Sequence, residues 1–255
     1  MFAILLYHGI DSGERWERPM DAIDREYVLA RSRFEEHVEY LAARRGKMDV
    51  VVSFDDGDLS GYTTAAPILE VNGLRGEFFV VSDWIGRPGF MSAEQLRELA
   101  ARGHGIHSHS RTHPRLSALT TSEIEDELGG SKATLEAMLQ APVTQFSIPG
   151  GAYDKRVVEV ARRVGYTSVL NSVEGYNDER NSPFVLRRFT PRAYTGAPAL
   201  VDICERPAYV TAKLAVKRAA LAAARGLMGR GGYERLRRSV VRRATLSGSP
   251  TISRQ

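Results

Sequence analysis

A chain of 255 residues, 43% hydrophobic and 26% charged, can bury one sizeable core, which excludes a fibrous or wholly disordered protein. A single cysteine, Cys204, excludes a disulfide framework and any site built from several thiolates. The net charge of +4 conceals a division: residues 205–255 carry 12 Lys/Arg against 2 acids, a net of +10, while the remainder has 23 against 29, a net of −6.

Residues 2–7 read as a buried first strand ending at His8-Gly9, and residues 11–31 as a polar, irregular loop. Ser32 and Glu35 have the spacing of a capping box, followed by a helical apolar face of Phe34, Val38 and Leu41. His37, on the same helix, is read as structural or solvent-facing. Residues 50–54 form an apolar, β-branched strand that stops at Asp55-Asp56-Gly57. A helix over 62–71 follows, with Pro67 kinking it or marking its first turn. The pattern continues with a strand at 77–82, a helix opening at Ser92 and closing at Gly103, and a strand at 104–109. Then come a long helix over 121–139, a strand at 145–148 ending in Pro149-Gly150-Gly151, a helix over 154–164, and strands at 166–170 and 184–189. Such alternation predicts an α/β fold with a mainly parallel sheet. His8, Asp55, Asp56, the later histidines and Gly150 all fall at or just after strand ends, which a parallel barrel gathers on one face.

The C-terminal part reads differently. Residues 209–227 are alanine-rich and predicted helical, and the glycines between 229 and 232 break the helix. Residues 233–243 form a short amphipathic helix with five arginines, and 247–255 a disordered end. The expected organisation is a barrel over 1–204 and a basic helical extension over 205–255. A solvated extension is the first reading of the tail and attachment to anionic lipid the second. Nothing in it resembles a base-reading motif, so nucleic acid is the least favoured partner. The apolar start is too short for a signal peptide and lacks a basic flank, and no stretch is long enough to span a bilayer. The expected location is therefore the cytoplasm or the cytoplasmic face of a membrane.

Two features carry chemistry. Adjacent carboxylates at a strand end oppose each other's ionisation, a cost that a metal ion or a catalytic proton relieves. Asp55 and Asp56 are equally readable as turn and N-cap residues. Downstream, residues 104–113 hold four of the six histidines: His104, His107, His109 and His113. His109 and His113 are four apart and share a face if that segment is helical. Two imidazoles and one carboxylate make a facial metal site with open positions.

Ser53-Phe54-Asp55-Asp56-Gly57, followed by His109-Ser110-Arg111-Thr112-His113-Pro114, resembles the paired motifs of the polysaccharide deacetylases of carbohydrate esterase family 4. The resemblance covers residues 50–189. It implies a distorted (β/α) barrel that removes N- or O-acetyl groups from sugars with a divalent metal, zinc in first place. Carried over, Asp56, His109 and His113 are the metal ligands and Asp55 the general base. Ser147-Ile148-Pro149-Gly150-Gly151 is similar to the third motif, with Ser147 in place of its arginine and Gly150 in place of its tyrosine. The family's oxyanion donor at that tyrosine position is a backbone N–H, which Gly150 retains. Arg188, with Arg187 as runner-up, is the candidate to replace the missing arginine, although both are also readable as surface charges.

The family's final motif, Leu-x-His, supplies a general acid near the C-terminus, but no histidine follows His113. Leu6-Tyr7-His8 has that pattern at the N-terminus, like the circularly permuted poly-N-acetylglucosamine deacetylases. His8 is therefore the candidate acid, expected across the cleft from Asp55. His107 shares the face of His109 in a strand and could support it. Trp84 and Tyr153 are candidates to line a sugar cleft. An amidohydrolase acting on a non-sugar C–N bond and an inactive carbohydrate-binding barrel are the competing readings.

Overall fold

The computed structural model describes residues 1–13, 24–47, 49–178 and 184–223. Its apolar segments form β1 (Phe2–Tyr7), then a short pair, β2 (Ile10–Asp11) and β3 (Leu29–Ala30). Next come α1 (Arg31–Ala42), β4 (Asp49–Phe54), α2 (Ala66–Val71), β5 (Gly76–Val80), α3 (Ala93–Ala101) and β6 (Gly105–Ser108). The body ends with α4 (Thr121–Leu139), β7 (Gln145–Ser147), α5 (Lys155–Val164), β8 (Ser168–Leu170), β9 (Val185–Leu186) and α6 (Ala197–Glu205). Seven strands pair in the order β1-β4-β5-β6-β7-β8-β9, every pair parallel. Beyond β9 the chain returns to the first strand. The Leu6 N–H donates to the Phe189 carbonyl, and the Phe189 N–H donates to the Ile4 carbonyl, both at 2.8 Å. The sheet thus curls back on β1, giving the expected distorted (β/α) barrel.

Strand alternation sorts the side chains. Ile4, Phe79 and Leu170 pack together inside the curl with Phe2, Val51 and Leu186. The opposite faces of the strands meet the helices. Tyr7 lies 5.2 Å from Phe34 of α1 and 5.7 Å from Phe54, ring centre to ring centre. Leu128, Phe146, Val160 and Tyr166 belong to the core under α4 and α5.

Two helix starts carry complete capping boxes, Ser92 with Gln95 and Thr120 with Glu123. The box expected at Ser32 is not formed. α1 follows β3 directly, so the cap position is Ala30, Ser32 already lies in the first turn, and Glu35 pairs with Arg31 at 2.9 Å. Pro67 occupies the first turn of α2, after a π-helical turn over Gly61–Ala65.

The chain divides into two units, Met1–Pro207 and Ala208–Gln255. α6 lies wholly in the first. In the second, the described residues are helical as far as residue 223 and expose Tyr209, Val216 and Leu221. The predicted glycine break at 229–232, the amphipathic helix at 233–243 and the end at 247–255 lie outside the described residues. Among the described residues no helix is long and apolar enough to cross a membrane.

His37 is a structural residue. It is fully buried; its Nδ1 accepts from the Tyr7 hydroxyl at 3.1 Å and its Nε2 donates to the Thr195 carbonyl at 3.0 Å, roles that need the neutral ring. Burial, outweighing the Thr195 carbonyl, holds its pKa below the ordinary 6.5. As pH falls through that value the unfolded chain gains a proton that the folded one refuses, so this contribution to stability is present at neutral pH and lost toward acid. The stability advantage of wild type over His37→Gln should therefore be largest at neutral pH and shrink on acidification. Thermal unfolding of both proteins across pH checks this, and an advantage that grows toward acid contradicts it.

Candidate active site

β4 delivers two carboxylates to the open end of the barrel. The Asp55 N–H donates to the Tyr7 carbonyl at 3.0 Å, so the ladder with β1 extends one residue past Phe54 and directs Asp55 inward. The chain then turns through left-handed backbone at Asp56 (φ 74°) and Gly57 (φ 80°). A Cβ on Gly57 would stand 2.9 Å from Val80 Cγ1, so glycine is required there. The next helical turn opens only after Ser60, so neither aspartate is its N-cap.

β6 delivers the histidines. His109 is 2% exposed, and its Nδ1 donates to the Ser147 carbonyl at 2.8 Å. That bond fixes the tautomer and turns Nε2 toward Asp56 Oδ1 at 3.5 Å and Asp55 Oδ2 at 3.9 Å. His113 Nε2 lies 3.6 Å from the same Asp56 oxygen. One ligand atom each from Asp56, His109 and His113 falls within 4.8 Å of the others. The route differs from the expected helical turn: residues 109–113 are a loop, with Ser110 and His113 both at φ 65°. Pro114 disfavours α conformation at His113, and the Ser110 hydroxyl accepts from the His113 N–H at 3.1 Å to close the loop.

Arg188 reaches the base candidate from the far edge of the curled sheet. It is fully buried, and its Nη1 and Nη2 each donate to one Asp55 oxygen at 2.8 Å. Its Nη2 also donates to the Ser147 hydroxyl at 2.8 Å, its Nε donates to the Asn171 carbonyl at 3.0 Å, and Ser147 donates to Asp55 Oδ2 at 2.9 Å. Arg187 is exposed. Of the two arginines weighed in the sequence, the structure puts Arg188 against Asp55. Ser147 had been noticed for the arginine it lacks. Its position between Arg188, Asp55 and His109 could not be read from the chain, because its partners come from three other strand ends.

His8 follows β1, level in register with Asp55 on the neighbouring strand, and its ring lies close enough to feel the charges of Asp56, Asp55, Arg188 and His109. Its ring centre is 5.0 Å from that of Tyr27, and its Nδ1 is buried without a hydrogen-bond partner. Gly150 is exposed in the turn after β7, at φ 60°. Trp84 lies 5.2 Å from the His113 ring, and Tyr153 is 37% exposed, with Asn171 donating to its hydroxyl at 3.4 Å. His107 pairs with Glu77 at 2.7 Å and His104 with Glu70 at 2.8 Å, so both are engaged away from the Asp56 cluster.

Burial alone would push the Asp55 carboxyl up, but Arg188 and then His109 outweigh it and hold the group ionised below its usual range. Burial is likewise overcome at Asp56, by the His109 hydrogen bond and the nearby histidines. His109 is raised because Asp55 and Asp56 outweigh its burial. His113 is lowered to about 4 by burial and by His109. His8 is lowered, burial outweighing Asp56 and Asp55. The donor set therefore fits a divalent cation: one ionised carboxylate and two imidazoles, one with its tautomer fixed by a carbonyl.

The sequence profile of the polysaccharide deacetylases matches residues 42–169. A Bacillus subtilis protein provisionally named a polysaccharide deacetylase, YxkH, is 26% identical over 204 residues, 72% of this chain and 69% of its own length. A chitooligosaccharide deacetylase of Bradyrhizobium sp. is 29% identical over 147 residues, 54% of this chain and 65% of that protein. The structure of the Streptococcus pyogenes deacetylase PplD in complex with acetate has the same fold, with a TM-score of 0.70 and 19% identity over 80% of this chain and 98% of that one. With half of its length matched by the profile and its barrel shared with a solved deacetylase, the chain belongs to the polysaccharide deacetylase family, carbohydrate esterase family 4.

Proposed function

We propose that this chain is a metal-dependent hydrolase that removes N-acetyl or O-acetyl groups from a sugar, an oligosaccharide or a lipid-linked glycan. The observation that carries the reading is the convergence of Asp56, His109 and His113 within 4.8 Å, beside a buried aspartate held by a buried arginine. A cation between those three side chains, zinc in first place, supplies Lewis acidity toward an acetyl carbonyl and toward water. Asp55 takes the proton of the attacking water. Arg188 and Ser147 hold Asp55 in one orientation and keep it ionised, so a proton acceptor is ready at neutral pH. The Gly150 N–H is the candidate donor to the oxygen that becomes negative as water adds, a contact worth about 3 kcal/mol where it forms. His8 is the candidate proton donor to the departing amine or alcohol, a role that requires its ring to be charged at that step; its unpartnered Nδ1 is the kind of buried polar atom that a substrate or a water completes. The name of the Bradyrhizobium relative supports an acetylated amino-sugar as substrate.

His109→Ala should lose both metal retention and activity, and Asp55→Asn should keep the metal while turnover falls about 10²–10⁴-fold. Metal content by atomic spectroscopy and release of acetate from acetylated chito-oligosaccharides check both. A metal-free His109→Ala protein with full activity sinks the assignment, and metal loss in Asp55→Asn with retention in Asp56→Asn reverses the two aspartates. Release of ammonia from small amides without any acetate release favours the non-sugar amidohydrolase.

His8→Ala should keep its metal and its fold and lose turnover by about 10²-fold or more. Unimpaired hydrolysis of an N-acetyl substrate by that variant removes His8 from the mechanism.

We infer further that the basic C-terminal region meets anionic lipid. Its support is the net charge of +10 over residues 205–255, together with exposed Tyr209, Val216 and Leu221 beside Lys213, Lys217 and Arg218. Removal of the second unit, residues 208–255, should weaken sedimentation with phosphatidylserine vesicles and leave hydrolysis of a soluble substrate intact, and salt should weaken the binding of the full chain. Equal vesicle binding with and without those residues leaves the solvated extension as the reading.

A further inference from the structure

The loop that carries His109 and His113 has no repeating backbone ladder of its own. Its two left-handed residues, Ser110 and His113, leave the intervening N–H groups of Arg111 and Thr112 pointing out of the loop toward α4. There they meet one side chain. Glu127, 8% exposed, accepts from the Arg111 N–H at 3.0 Å and the Thr112 N–H at 2.9 Å through Oε2, and from the Thr112 hydroxyl at 2.7 Å through Oε1. One helical turn later on the same face of α4, the Ser131 hydroxyl is 2.8 Å from that of Ser108, which in turn accepts from the Ser110 N–H at 3.3 Å. Gly130 lies between them in the chain, and a Cβ there would come within 3.4 Å of the Arg111 side chain. The segment leaving β5 holds the loop as well: the Arg111 carbonyl accepts from the Asp83 N–H at 3.0 Å and the Ser110 carbonyl from the Ser82 N–H at 3.2 Å. The loop is thus held by the exit of β5 and by a single carboxylate of α4.

We propose that Glu127 is a positioning residue for the metal centre, fixing the backbone between His109 and His113 so that their Nε2 atoms face Asp56 together. The proposal rests on the metal-dependent reading above. Its physical basis is reach and acceptor count rather than charge. Two backbone donors converge on one oxygen, and the other oxygen takes a hydroxyl that can itself donate or accept. Glutamine has the length of glutamate. Its carbonyl can take both N–H groups, and its amide can donate to the Thr112 hydroxyl. Aspartate keeps the charge but is one methylene too short to reach the loop from α4.

Zinc affinity, read by competition with a chromophoric chelator, separates these terms in the full-length protein. Glu127→Asp should bind zinc about 10–100-fold more weakly than wild type, as expected when a group that orients a ligand is lost. Glu127→Gln should bind it nearly as well as wild type. Far-UV circular dichroism of the metal-free proteins confirms that all three are folded. Wild-type affinity in Glu127→Asp overturns the proposal, as does a loss in Glu127→Gln equal to that in Glu127→Asp, which would assign the effect to charge. Absence of zinc binding by wild type itself overturns the metal reading, and the role of Glu127 falls with it.

Discussion

The buried pair of Asp55 and Arg188 is the constraint around which the open end of the barrel is arranged. Both side chains are withdrawn from water, at 3% and 0% exposure. A lone buried charge is expensive, and losing one partner of such a pair typically costs about 3–5 kcal/mol. The pair is tolerable because four of the guanidinium's five N–H groups donate: two in parallel to the carboxylate, a third to Ser147 and a fourth to the Asn171 carbonyl. This demands that distant parts of the chain meet. Asp55 leaves β4, whereas Arg188 lies two residues past β9, at the opposite end of the strand order. Phe189, the next residue, pairs with β1. The same closure that completes the curl thus carries Arg188 over β1 to the aspartate.

Backbone strain is concentrated at the same place. Among the described residues four non-glycine positions have left-handed backbone, and three of them, Asp56, Ser110 and His113, lie in the Asp56–His109–His113 cluster or in the loop between its histidines. Such positions persist where surrounding bonds over-determine them. Here the His109 ring is tied to Ser147, the loop to Glu127 and to the exit of β5, and Gly57 is packed against Val80. The sequence could show which residues meet, because the motif residues are close in the chain. It could not show the conformation that makes them meet. A four-residue spacing suggests a helical turn, whereas left-handed backbone at Ser110 and His113 makes the segment a loop, and Pro114 disfavours α conformation at His113.

Strand and helix periodicity made most of the body legible. β1 and α4 lie where their apolar patterns place them, and the histidine strand and the carboxylate strand end on one face because every strand of the sheet is parallel. The misreadings share a cause. Ser32 with Glu35 has a cap's spacing, but β3 runs straight into α1 and moves the start upstream. Arg187 and Arg188 are neighbours on an extended segment and differ in which face they occupy. Leu186 faces the interior, so Arg188 shares its side by alternation and Arg187 does not. That parity was available in principle, but apolar residues at 184, 185, 186 and 189 supply both phases and hide it. Glu127 lies at helical spacing on the stripe of Ile124, Leu128, Ser131 and Leu135, which marks it as facing inward, but its partners on the histidine loop have no signal in the chain.

Charge accounting explains why two adjacent aspartates can coexist here. Arg188 neutralises Asp55 inside the barrel and keeps its carboxylate ionised. Asp56 faces the two imidazoles through one oxygen, at 3.5 and 3.6 Å. His113, lowered to about 4, is neutral at physiological pH. Without a further cation, His109 is drawn toward its charged form by both carboxylates. A divalent ion held by these three side chains would take over that role, neutralising Asp56 and favouring the neutral imidazoles. The proposed division of labour between the two aspartates follows their partners: the one bound by a fixed guanidinium is the candidate proton acceptor, and the one facing two imidazoles is the candidate metal ligand.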